Sequence, residues 1–183
     1  FGLDHVIFRP HNVYGEHQNI GDKYRNVVGI FMNQILRGEP MTIFGDGQQE
    51  RAFSYVGDII GPIAKAPWVE EARNTVFNIG ADEPHTVNEL AEEVAKAMGA
   101  PGHPVKHLPA RNEVEVAYCD HTRVQEVFSP PDPTTLSEGL RRMSRWVEDV
   151  GARQSEDFED IEIRKNMPPS WQTEREDPDP AVS

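Results

Sequence analysis

The seven residues Arg9-Pro10-His11-Asn12-Val13-Tyr14-Gly15 bring a guanidinium, an amide and a glycine turn together directly after the apolar burst Val6-Ile7-Phe8. The burst reads as a fully buried strand of a parallel sheet. In open α/β sheets ligands sit just beyond the carboxyl ends of strands, so these groups stand where a site is expected. Two further arginines extend the idea: Arg51 lies between Gly45-Asp46-Gly47 and Tyr55-Val56, and Arg111 precedes Glu113. A guanidinium grips a phosphate through two parallel hydrogen bonds, so the pair would give an acidic chain a local anion site. Plainer readings stand beside these. Arg9 fits a carboxylate partner at the sheet end, Asn12 a turn, Asp58 a helix N-cap and Cys119 a place in the core.

Two absences bound the chemistry. No G-x-x-G-x-x-G loop follows a strand, so the turn that cradles a dinucleotide phosphate is missing from this sequence. Gly45-Asp46-Gly47 shares letters with such a loop but leads from one strand to another, and it reads as a turn. None of the four tyrosines has a lysine four residues on. The histidines are read as lacking ligand spacing and there is one cysteine, so no metal site is expected.

As a set, these segments resemble the extended short-chain dehydrogenase/reductase family, the NAD-dependent sugar-nucleotide epimerases and dehydratases. The likeness lies in R-x-x-N-V-Y-G at 9–15, Asn26-Val27-Val28, Thr42-x-Phe44-Gly45, Arg51-x-Phe53-x-Tyr55-Val56-x-Asp58 and Arg111-x-Glu113, and it spans about residues 1–150. It implies substrate-binding roles for eight residues. Asn12 would bond the diphosphate, Asn26 and Val27 would open the helix that receives it, and Thr42 and Phe44 would flank the base. Arg51 and Arg111 would grip phosphate, and Glu113 would reach the ribose. Pro10 and His11 fall where the family approaches the nicotinamide of NAD. The family's catalytic Tyr/Lys pair is absent, so the resemblance yields no catalytic residue here. It implies the C-terminal part only of a UDP-glucose 4-epimerase-like enzyme, with NAD bound mainly by a missing N-terminal part and the parent a homodimer. Such an enzyme interconverts UDP-glucose and UDP-galactose at C4 through a 4-keto sugar. A 4,6-dehydratase or decarboxylase of the same family, and a non-catalytic nucleotide-binding or interaction module, are the rival readings. Three departures accompany the likeness: Glu16 where Pro commonly follows Tyr-Gly, a spacing one residue short at Arg111-Asn112-Glu113, and a tail without motif.

Composition sets outer limits. At 183 residues and 37% hydrophobic, the chain can bury one core and an appended lobe. A formal charge of −13 argues against nucleic acid or an anionic membrane surface as a bulk partner. No run approaches the roughly 18 consecutive apolar residues of a membrane span. A lone cysteine fits a reducing compartment, hence a cytoplasmic setting. The opening Phe1 is read as a cut rather than a start.

The elements that must position the candidate residues are legible from periodicity. An amphipathic helix is expected from Asp22 to Gly38, strands at 41–44 and 53–56, and a helix near 57–66. A strand at 75–80 and a helix boxed by Thr86 and Glu89 follow. Short strands near 105–108 and 114–118 precede a helix boxed by Thr135 and Glu138. The expected fold is α/β: late strands of a doubly wound, Rossmann-type parallel sheet, with strands near 1–9 and 75–80. A small mixed α/β substrate-binding lobe completes a body spanning 1–153. Residues 154–183 read as an acidic, Pro-rich tail, partly disordered, with Ile161, Ile163, Met167 and Trp171 as spaced apolar anchors.

Overall fold

The computed structural model describes residues 2–22, 26–112 and 114–154. Glu113 and the tail from residue 155, with its four apolar anchors, lie outside the described residues. Nine strands and five helices are described there: β1 Val6–Pro10, β2 Val13–Tyr14, α1 Val27–Leu36, β3 Met41–Phe44, β4 Glu50–Ala52, β5 Ser54–Tyr55, α2 Val56–Lys65, β6 Thr75–Ile79, β7 Pro84–Thr86, α3 Val87–Ala97, β8 Val105–Leu108, β9 Val116–Ala117, α4 Thr122–Phe128 and α5 Leu136–Val150. Pairing is mostly parallel, as expected of an α/β fold: β1 with β6, β2 with β5, β3 with β8 and β4 with β9. Only β7, among the described strands, runs antiparallel, against β4.

Two apolar cores result. Helices α1, α3 and α5 bury Phe31, Met32, Leu90, Val94, Leu140 and Met143 against Met41 and Ile43 of β3. The smaller core joins β6 to α2 and α4 through Phe77, Ile79, Ile59, Val124 and Phe128. The larger core hangs on Tyr14, which is 1% exposed and whose hydroxyl donates to the Leu136 carbonyl at 3.3 Å. Burial pushes this phenol well above its ordinary pKa, so it stays a neutral donor. Gly139 makes room for it: a methyl there would lie 2.1 Å from the Tyr14 oxygen.

Several expectations are corrected. Val6-Ile7-Phe8 is not fully buried, since β1 has one strand neighbour among the described residues and Ile7 is 45% exposed. Helix α1 begins at Val27, because Asn26 caps it. The strand expected at 53–56 divides: β4 pairs with β7 and β9, β5 pairs with β2, and Val56 already starts α2. Asp58 is not an N-cap; it sits inside the first turn of α2 and accepts from the Thr134 amide and hydroxyl at 2.8 and 2.7 Å. The Thr86–Glu89 box forms in both directions. At α5 the Thr135 half forms, while Glu138 is drawn to Arg141 and Arg142. Helix α4 has no counterpart among the expected elements; its seven residues are too few for a periodic signal.

Gly139→Ala should therefore cost about 1–3 kcal/mol, an overpacking penalty against Tyr14. Gly61→Ala, in a helix with nothing within 4 Å of the added methyl, should instead gain about 0.4–1 kcal/mol. Urea unfolding of the two variants would read the opposite signs, and equal shifts would show that Gly139 is not needed for this contact.

Candidate functional site

The run after β1 turns on Asn12, whose backbone is left-handed at φ 42°. Asn tolerates that region better than other residues with a Cβ. Its side-chain amide donates to the Ala52 carbonyl at 3.0 Å, and its own carbonyl accepts the Ser54 amide at 3.1 Å. The turn thus bridges β4 and β5 and sets Val13 and Tyr14 beside Ser54 and Tyr55. Gly15 follows, where a methyl would lie 2.3 Å from the Val56 side chain. Asn12 forms this turn, and its bond to Ala52 also ties it to the strand that carries Arg51.

Asn26 is equally committed. Its side-chain oxygen accepts the Val28 amide at 3.0 Å and its nitrogen donates to the Val13 carbonyl at 2.7 Å. Val27 opens α1, at the end where the helix dipole favours an anion. The two amide side chains therefore act as braces around the strand ends, and Val27 contributes helix position rather than a reactive group.

Strand β3 carries Thr42 and Phe44. Gln34 of α1 grips Thr42 twice, donating to its hydroxyl at 2.9 Å and accepting from its amide at 3.1 Å. Phe44 is covered by the Arg111 guanidinium, centred 3.3 Å above the ring. That is a cation–aromatic stack at ring-stacking separation. Arg51 donates to the carbonyls of Glu50 and Glu115 at 2.8 and 3.1 Å and to that of Val114, so it ties β4 to the segment entering β9. The Gly45-Asp46-Gly47 turn is filled by Asn88 of α3, which donates to the Asp46 carbonyl at 2.8 Å. A side chain at Gly47 would meet Asn88.

Pro10 ends β1, and His11 turns inward. Both its ring nitrogens are buried without a hydrogen-bond partner, and the ring stacks on His121. Burial and the neighbouring His121 hold His11 below its ordinary pKa of 6.5.

Four groups at or beside the site carry no motif in the sequence reading: Gln34, Glu16, Asp82 and His121. Glu16 accepts the Tyr55 hydroxyl on both carboxylate oxygens, at 3.0 and 2.9 Å. Burial and that bond raise the Tyr55 pKa, with Arg142 opposing in part. The departure from Pro at position 16 is the available signal. The histidine reading also needs correction, because His103 and His107 do stand four residues apart. The spacing has no helix to act on: each ring bonds its own carbonyl, Glu39 and Gly45 respectively, at 2.8 Å. Among the described residues no group of three donors could hold a metal ion, and no helix is long and apolar enough to cross a membrane.

The fold is of the α/β, Rossmann-like class with parallel strands. Residues 1–80 match the model of the NAD dependent epimerase/dehydratase family. UDP-glucose 4-epimerase of Mycolicibacterium smegmatis is 31% identical over 142 residues, 78% of this chain and 45% of the relative. UDP-glucuronic acid decarboxylase 1 of Arabidopsis thaliana is 32% identical over 143 residues, 78% of this chain and 32% of the relative. The crystal structure of UDP-glucose 4-epimerase with UDP-glucose from Thermotoga maritima superposes with a TM-score of 0.72 at 33% identity, over 81% of this chain and 47% of the other. The chain spans about half the length of the first curated relatives it matches.

One expectation is overturned by these likenesses: that the chain is the C-terminal part only of such an enzyme, with NAD binding left to a missing N-terminal part. The family match falls on the N-terminal portion of this chain, residues 1–80, and relatives cover about 80% of it. NAD dependence belongs to the family those residues match, so it is not assigned to a part outside the chain. The expectation rests on absent motifs, and an absent motif does not locate a chain within a longer protein.

The bracing of Asn26 has a measurable consequence. Asn26→Ala should cost about 1–2 kcal/mol through the lost α1 cap. Asn26→Ser should restore the cap but not the tie to Val13. Chemical denaturation placing Ser midway between wild type and Ala would agree; Ala equal to wild type would remove the bracing role.

Proposed function

We propose that this chain carries the nucleotide-sugar-binding surface of an NAD-dependent 4-epimerase that interconverts UDP-glucose and UDP-galactose. The observation that supports it best is the Phe44–Arg111 stack, set one turn from β4 with its Arg51. An aromatic face covered at 3.3 Å by a guanidinium marks a slot one planar group thick. A nucleobase enters it by displacing Arg111 sideways, and the displaced guanidinium then meets the diphosphate that follows the base. Arg51, held by carbonyls at the edge of β9, adds positive charge beside it. Thr42, fixed by Gln34, and the start of α1 at Val27 line the approach, with Asn12 and Asn26 behind as braces, and Glu113 is retained as the ribose contact. Binding energy gained on the nucleotide, remote from the reacting carbon, serves to orient the sugar at C4.

The work proposed for these residues is to hold and orient the nucleotide sugar. Pro10 and His11 are the proposed nicotinamide edge. A homodimeric, cytoplasmic parent goes with the reading. A decarboxylase of the same family is the second reading, favoured by the 32% identity to the Arabidopsis thaliana enzyme.

Calorimetric titration of UDP should show Phe44→Ala and Arg111→Ala each weakening binding about ten- to a hundred-fold, the loss of a charge-assisted or stacking contact. Unchanged affinity in both would make the stack purely structural. Because no Tyr-x-x-x-Lys pair is present, the 183-residue chain alone should not turn over UDP-glucose with NAD, and product analysis finding UDP-galactose would contradict that. In a longer parent, turnover of UDP-glucuronate rather than UDP-glucose would favour the decarboxylase.

A further inference from the structure

Three segments far apart in the chain meet behind Asn12. His11 follows β1, Asp82 lies between β6 and β7, and His121 precedes α4. The two imidazoles stack with centroids 5.0 Å apart and planes 5° from parallel. His121 is 3% exposed, and its Nδ1 lies 2.5 Å from a carboxylate oxygen of Asp82. Its Nε2 and both nitrogens of His11 are buried with no hydrogen-bond partner. Gly80 permits the arrangement, since a methyl there would lie 2.5 Å from Ser54 Oγ and 2.6 Å from His11 Cε1. The adjoining Ala81 amide donates to Ser54 Oγ at 2.9 Å, which fastens this loop to β5.

The arrangement does not suit a shared metal ion. Imidazole lone pairs lie in the ring planes, and two nearly parallel rings aim them side by side rather than at one point about 2.0–2.1 Å from each. It suits control by a proton. A buried imidazole without a partner is tolerated when neutral, and a positive charge on one ring opposes a charge on the ring stacked against it. Of the charged groups around the pair, Asp82 faces both rings, and Asp120 faces His121 while its carboxylate is held by the Thr122 amide and hydroxyl at 2.8 and 2.6 Å. From β5 the neighbour is the neutral Ser54 hydroxyl.

We propose that His121 and Asp82 are positioning residues that clasp His11, and through it the Asn12 turn, while His11 is neutral, and that protonating His11 opens the clasp. Its effect on ligand rests on the proposed nucleotide-sugar site, whereas the clasp itself does not. The sign follows from His11 being harder to protonate in the folded chain than its ordinary 6.5, through burial and His121, with the Ala81 backbone and Asp82 opposing in part. The stabilisation is complete above 6.5 and is lost as pH falls through 6.5 toward the lower folded value.

The test has two arms on the full chain. Proton NMR of the imidazole Cε1–H signals should show His11 titrating below 6.5 in wild type and moving upward in His121→Phe, which keeps the stack without the charge. UDP affinity should fall with pH more steeply in wild type than in His121→Phe, by up to about tenfold per pH unit for one linked proton. Titration of the ligand itself is common to both proteins and cancels in that difference. Asp82→Asn, exposed and easily tolerated, serves should the His121 variant not fold, and should shift the His11 step downward. A solitary His11 titration at its ordinary value, unmoved by either variant, overturns the clasp. A lowered His11 titration that moves in the variants, without any UDP binding, upholds the clasp and overturns the proposed function instead.

Discussion

The left-handed turn at Asn12 is the constraint on which the rest depends. One residue with φ 42° sends the chain out of β1 and into β2, and its two hydrogen bonds fix that change of direction against Ala52 and Ser54. Without it, Tyr14 would not enter the core under α5, and Val13 would not offer its carbonyl to Asn26. The Asn12 turn thereby joins the β1–β6 pair to the β4–β5 corner and presents Val13 to Asn26 at the start of α1. An aliphatic residue there would carry backbone strain and leave the Ala52 carbonyl without that donor.

The same constraint explains how the two asparagines brace the strand ends. A buried or half-buried amide must place both its donor and its acceptor, and strand ends offer unpaired backbone groups in both senses. Asn26 satisfies both halves of its amide with backbone partners. Groups left to meet a ligand are then those whose partners are soft: an aromatic face under a guanidinium, or a helix start. That division, rigid amides behind and adaptable cation in front, is what the proposed nucleotide-sugar site would need.

Much of the fold is legible in the sequence, and the rest is not, for physical reasons. The parallel strands β1 and β6, the capped helices α1 and α3 and the Gly45–Gly47 turn follow from local rules of periodicity, capping and positive φ. Exposure of Ile7 is not legible, because an apolar burst reports what a strand could bury and not how many neighbours it has. The split between β4 and β5 depends on two different partners distant in sequence. Arg51 and Arg111 stand out as cations, but that one braces β9 and the other covers Phe44 is a tertiary fact. His121 and Asp82 carry no motif at all; only the fold brings them to His11. The family likeness is legible from its linked motifs, whereas the inference about which part of a longer enzyme this is does not survive the match to residues 1–80.

The net charge of −13 gives the cation placement its meaning. A dianionic group approaching such a chain is repelled at long range, and screening confines that repulsion to roughly 8–10 Å at physiological salt. Within that distance local arrangement decides. Glu138 draws Arg141 and Arg142 onto α5, and Arg37 pairs with Glu39, so several cations are neutralised on helix surfaces. Arg111 differs in kind, because an aromatic face holds a guanidinium without cancelling its full charge as a carboxylate does. The fold therefore keeps an adaptable charge at the end of β3, with Arg51 braced nearby on β4, while much of the remaining surface stays acidic. On the proposed function, an anionic ligand would meet favourable charge at that corner, so the acidic background would narrow where such a ligand settles instead of excluding it.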